Sequence, residues 1–174
     1  MNDSDQGLSY AAKLPLSWMT LDSALDEIQL EAMNDDNLRV LAATGVLMEH
    51  RQRGEDASPV EQEMERLHLK INLLLDMVGS LAAGQRPRPA AVTVALSATG
   101  LSWRGEALTP GAQGLIALWL HRAIATPLKL PAVAAGLVDG QNQVSFTHLS
   151  APFQSELERH VFLHHRRAVA GARS

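Results

Sequence analysis

The chain has 174 residues, 46% of them hydrophobic, 20% charged and 4% aromatic, with a formal net charge of −4 and no cysteine. That length and apolar content suffice for one compact domain plus an appendage, with a core built mainly from Leu, Val, Ala and Met. Disulfide scaffolds, thiolate metal sites and cysteine nucleophiles are excluded, and the acidic balance argues against non-specific nucleic-acid binding as the main task.

The start, "MNDSDQG", is acidic and polar, without the basic and then apolar character of a secretory signal. No apolar run approaches the roughly 18 residues of a membrane span. A cytoplasmic chain without membrane insertion is expected.

The first half reads as helical. In "LSWMTLDSALDEIQLEAM", Leu21, Leu25 and Ile28 fall on one stripe, and Thr20 or Asp22 is placed to cap its start. The run Asn34-Asp35-Asp36-Asn37 predicts a break, because short polar side chains compete for backbone hydrogen bonds. Leu38, Leu41, Gly45 and Met48 then resume a stripe, and "HRQRGEDASP" is a charged loop.

Ser58-Pro59-Val60-Glu61 marks the next helix start: a serine cap, a proline in the first turn and a glutamate three residues after the serine. From there Val60, Met64, Leu67, Ile71, Leu74, Val78 and Leu81 alternate steps of four and three without a miss, a heptad pattern. Any amphipathic helix needs an apolar face inside its own domain. However, the strict 3.5-residue register and the extra apolar surface of Leu69, Leu73, Leu75 and Met77 point to self-association. The broad face fits a four-helix bundle, whereas Met64, Ile71 and Val78 at a with leucines at d fit two strands. Tetramer and dimer both stay open. Gly84 is placed to end the helix.

After "AAGQRPRPAA" the period changes from helix to strand. "AAVTVAL" puts Val92, Val94 and Leu96 on one face, and "GLSWRG" returns with Leu101 and Trp103 inward. "LTPGAQ" is a turn, "GLIALWLH" a strand, and "ATPLKLPAVAAGLV" an edge segment followed by a strand. "DGQN" makes a hairpin at Asp139-Gly140. "APFQSELERHVFLHHRRAVA" closes as a helix opened by Ser150 or Pro152, with Phe153, Leu157 and Val161 across one end of a barrel. The division expected is a helical region over 1–84, its heptad helix at about 58–84, and a barrel with closing helix over 85–174.

The order strand, "ALSATG" turn, strand, "PG" turn, further strands and "ELERHVFLHHRR" helix resembles the PilZ domain over roughly residues 86–167. The resemblance implies an α+β chain: a small six-stranded antiparallel β-barrel with helices before it and one after it. Typical members bind cyclic di-GMP through an RxxxR segment and a (D/N)xSxxG turn. Planar guanidinium forks suit phosphates and the guanine edge, and a carboxylate or amide accepts from guanine's ring N–H.

Ser97 and Gly100 match that turn, but its acceptor position holds Ala95. No RxxxR occurs; Arg86 and Arg88 are spaced as RxR, and Arg66 with Lys70 lies inside the heptad helix. Each lost charge-assisted hydrogen bond removes about 1.5–3 kcal/mol, so the site at Arg86, Arg88, Ser97 and Gly100 reads as degenerate. A divergent PilZ domain of this kind resembles an oligomeric adaptor for an unidentified protein partner in bacterial signalling, motility or virulence. The alternative is a cyclic di-GMP receptor with a displaced site.

Other chemistry finds less support. His160 and His164, one helical turn apart, with His165 adjacent and Glu156 nearby, can be read as metal ligands, but a solvated basic helix end explains them more simply. No metal or cofactor is expected. "HHRRAVAGAR" reads as a solvated terminus rather than a nucleic-acid site. Trp18 and Trp119 read as core or interface anchors. No GxSxG elbow or phosphate loop occurs, so no catalytic residue and no enzyme class is favoured.

Overall fold

The computed structural model describes residues 8–49 and 88–171, together with Val60, Glu63, Met64, Leu67, His68, Lys70, Ile71, Leu74, Leu75, Val78 and Leu81 between them. In chain order the elements are β1 (Ser9–Thr20), α1 (Glu27–Glu49), β2 (Ala91–Ser97), β3 (Gly100–Trp103), β4 (Gln113–Leu118), β5 (Leu128–Val138), β6 (Gln141–Phe146) and α3 (Ala151–Gly171). The described residues within 60–81 are helical and are called α2. The strands close an antiparallel barrel in the order β1-β2-β3-β6-β5-β4.

β1 corrects the reading of 16–33 as one helix, and with it the confinement of the barrel to 85–174. Tyr10, Ala12, Leu14, Leu16 and Trp18 alternate inward at period two and join the core. Ser9 to Pro15 pair with β2, and Leu16 to Thr20 pair with β4. Pro15, which has no N–H to give, sits where the partner changes, and its carbonyl accepts from Trp119 N at 3.1 Å. Gly114 makes room for this strand: a Cβ there would collide with the Trp18 indole.

α1 starts later than Thr20 or Asp22. Asp26 Oδ1 accepts from Gln29 N at 2.7 Å, while Gln29 Oε1 accepts from Asp26 N at 3.0 Å, a reciprocal cap. The helix also runs unbroken through Asn34 to Asn37. Asn37, 2% exposed, donates to Lys129 O and accepts from Lys129 N, both at 2.8 Å. Asn34 donates to His148 O at 3.1 Å and accepts from Ser150 N at 3.0 Å. Tertiary partners satisfy Asn37, while Asn34 adds to its two tertiary bonds one to Leu30 O at 2.9 Å, a turn back in the helix.

β5 runs as one strand through Pro131, paired to β4 and to β6. The Asp139-Gly140 hairpin forms with φ of 52° and 73°. Ser150 opens α3, its Oγ accepting from Phe153 N at 3.4 Å. Phe153 and Leu157 are fully buried with Val94, Leu96, Ile116, Leu118, Leu128 and Leu130. Each such side chain contributes about 1.5–3 kcal/mol on leaving water, so α3 is an integral wall of the core.

Candidate functional site

The Ser97–Gly100 turn links β2 to β3. Ser97 Oγ donates to Gly100 O at 3.0 Å and accepts from Gly100 N at 2.9 Å and Thr99 N at 3.3 Å. The hydroxyl is therefore spent on the turn itself. Gly100 lets β3 approach β6, since a Cβ would meet the Val144 carbonyl oxygen. Ala95 lies between Ala11 of β1 and Ser102 of β3, opposite in direction to the buried Val94 and Leu96. The outer face there presents methyl and hydroxymethyl groups and no carboxylate.

Arg88 is likewise engaged by the fold. Its Nη1 donates to Arg122 O and its Nη2 to Ile124 O, both at 2.9 Å, and its Nε is buried without a partner. The guanidinium grips the connection between β4 and β5, where Trp119 Nε1 also donates to Ala125 O at 3.0 Å. Arg86 and Arg66 lie outside the described residues; Lys70 is exposed on α2. Of the four residues read as a nucleotide site, Ser97 and Gly100 share one turn, and Arg88 serves another connection.

The heptad positions present a different surface. Val60, Met64, Leu67, Ile71, Leu74, Val78 and Leu81 are 47–76% exposed in the isolated chain, and Leu75 beside them is 41% exposed. These side chains stay largely open to solvent in the isolated chain. Soluble proteins rarely leave an apolar row of this length in water, and such rows mark contact surfaces.

A third cluster was missed by the sequence reading because its members come from three elements. Tyr10 of β1 bonds His160 Nε2 at 3.0 Å and stacks on His164 with ring centroids 4.4 Å apart. His164 Nε2 faces Met48 Sδ of α1 at 3.0 Å, and His165 Nδ1 bonds Ser9 O at 2.8 Å. Burial, then the neighbouring His164 and Arg167, push the His160 pKa down to about 3. Burial and Arg167 lower that of His164, and burial raises that of the Tyr10 phenol. The imidazoles of His160 and His164 are thus neutral packing groups at pH 7, not a solvated cationic end. Its place three residues after buried Leu157 and seven after buried Phe153, on the same helix face, was the signal that placed His160 inward.

Among the described residues no group of three or more His, Cys, Asp or Glu is arranged to hold a metal ion, and no helix is long and apolar enough to cross a membrane.

The comparisons agree with the barrel. A structure from Xanthomonas campestris, described as a new tetrameric PilZ domain self-assembled via an unusual helical bundle, is similar at 25% identity and a TM-score of 0.67. The likeness covers 95% of this chain and 92% of that one. A search of curated proteins gives no match. A family profile described as atypical PilZ domain, cyclic di-GMP receptor, matches residues 38–174. With that match spanning most of its length, the chain belongs to the atypical PilZ domain family.

Proposed function

We propose that this protein is an oligomeric adaptor in which α2 assembles several copies and the barrels act through protein–protein contacts, without using cyclic di-GMP. The observation that carries the reading is the uncovered heptad row on α2, from Val60 at 73% exposure to Leu81 at 76%. Burying half to three quarters of a large apolar side chain is worth about 1–2 kcal/mol. Seven per chain give a driving force of the order of 10 kcal/mol, comparable to the roughly 4–15 kcal/mol cost of association. The similar Xanthomonas campestris protein, a tetramer built through a helical bundle, supports a tetramer over a dimer.

Loss of nucleotide binding is supported by the engaged groups. Ser97 and Arg88 satisfy backbone partners, and Ala95 has no acceptor. Recruiting Arg88 to a phosphate would strip two carbonyls of their donors. The activity is binding and assembly rather than catalysis.

Light scattering on the purified chain tests the assembly; a monomer at micromolar concentration refutes it. The second reading, a cyclic di-GMP receptor, rests on the description of the matching family. Calorimetry with cyclic di-GMP separates the two. No heat is the result expected, and micromolar binding would replace the adaptor reading.

A further inference from the structure

Charge is distributed unevenly over the barrel and its two packed helices. Residues 21–36 hold Asp22, Asp26, Glu27, Glu31, Asp35 and Asp36 and no Lys, Arg or His. Of these, Asp36 alone has an ion-pair partner among the described residues, Arg39 at 2.8 Å. Residues 159–171 of α3 hold Arg159, Arg166 and Arg167 and no carboxylate. Each charged stretch has apolar surface beside it.

The acidic stretch frames a groove. Leu21, Ala24, Leu25 and Leu30 meet Pro131 and Val133 of β5 around a cavity of about 110 Å³. Leu30 N bonds Asp26 O, so Asp26 and Glu27 lie one turn before Leu30 and flank the apolar lining. The basic stretch is a helix face. Arg159, Phe162, Arg166 and Val169 follow steps of three and four, on the side of α3 turned away from buried Phe153, Leu157 and His160. Phe162 is 48% and Val169 40% exposed, and Arg166 lies over the Phe162 ring at 5.7 Å. A guanidinium stacked in this way keeps its N–H edge for carboxylates.

A chain cannot seat this face in its own groove. α1 and α3 run side by side in one direction, since Asn34 bonds Ser150 and Met48 faces His164. His148 lines the cavity, which places the groove at the start of α3. Arg166 lies about 24 Å further along that helix than Ser150, and buried Phe153, Leu157 and Val161 hold the helix on the barrel.

We propose that the Arg159–Val169 face of α3 in one copy docks in the groove at residues 21–30 of a second copy. Phe162 and Val169 supply apolar groups for the groove, and Arg159 and Arg166 supply cations for its acidic rim. Unlike surfaces meet, so the contact is head to tail. It goes beyond the α2 seam and uses no residue of α2.

The chain has no cysteine, so Ala24→Cys/Val169→Cys, both at exposed positions, places one thiol at the groove and one on the helix face. The assay is cross-linking of the full chain with a short flexible bismaleimide, the joined peptides being located by mass spectrometry. A product linking position 24 of one chain to position 169 of another is expected. Asp22→Lys/Glu27→Lys, or Arg159→Glu/Arg166→Glu, should lower its yield about tenfold by setting like charges against each other. All four changes in one chain should restore it. These side chains are exposed, so circular dichroism should show folded variants. The proposal is overturned if the otherwise wild-type chain gives no such product, or gives only links between like positions. Reversals that leave the yield unchanged, or a combination that fails to restore it, also overturn it. The mass of the assembly reads the α2 seam and the linked positions read this contact, so each can fail without the other.

Discussion

Leu74→Glu separates assembly from folding. Leu74 is 60% exposed in the isolated chain, so within one chain the substitution removes little buried contact, and its cost to the fold stays near the roughly 0.5 kcal/mol of a surface change. In an α2 bundle the same position is a core d site. There the variant forfeits about 1–2 kcal/mol of leucine burial and places a carboxylate in an apolar seam, several kcal/mol more unless it is protonated. At about 3 kcal/mol or more per chain, repeated in every copy, the dissociation constant should rise by over two orders of magnitude. The assay is size-exclusion chromatography with light scattering at about 10 μM, beside far-UV circular dichroism. The expected result is a folded monomer. A variant of unchanged mass would refute the α2 seam, and one without barrel structure would refute the independence of barrel and seam.

Asn37→Ala should destabilise by about 2–4 kcal/mol, because the Lys129 N–H and C=O that bracket it lose their partners inside the α1–β5 contact; urea denaturation measures it. The His160 pKa is lower folded than unfolded, so the native state binds fewer protons. Stability is complete above about 6.5, and falls as pH drops from there toward 3. At pH 5 the loss should be of the order of 2 kcal/mol. His160→Gln, which keeps a partner for Tyr10, should flatten that profile, and parallel profiles would discount the histidine. Arg88→Met should speed amide exchange across residues 119–127 while leaving the turn at Ser97 to Gly100 unchanged. Uniform exchange rates in that connection would show that the arginine does not hold it.

The parts of the barrel that were legible in the sequence are those whose signals are local. Alternation in "AAVTVAL", the Asp139-Gly140 turn and the Phe153–Leu157–Val161 stripe each depend on neighbours a few residues away. β1 was hidden because "LSWMTLDSAL" satisfies a period of two and a period near 3.6 at once. The choice between them is made by β2 and β4, which lie about 80 and 100 residues further along the chain. Asn34 and Asn37 misled for a related reason: both amides find partners about 90 to 116 residues further along the chain, at Lys129, His148 and Ser150, and there they tie the helix to the barrel instead of ending it.

By itself the sequence determined the periodicities, the turn at "ALSATG" with its missing carboxylate at Ala95, and the apolar heptads of α2. These follow from side-chain chemistry repeated along the chain, and need no fold to be read. Tertiary structure alone decided where the polar groups are spent. Arg88 grips Arg122 and Ile124, Ser97 closes its own turn, and Tyr10, Met48, His160 and His164 meet although up to 154 residues of sequence separate them. Such contacts arise only when the barrel closes and α1 and α3 pack against it, because hydrogen bonds and ring contacts act over a few ångströms of space and carry no trace in sequence spacing.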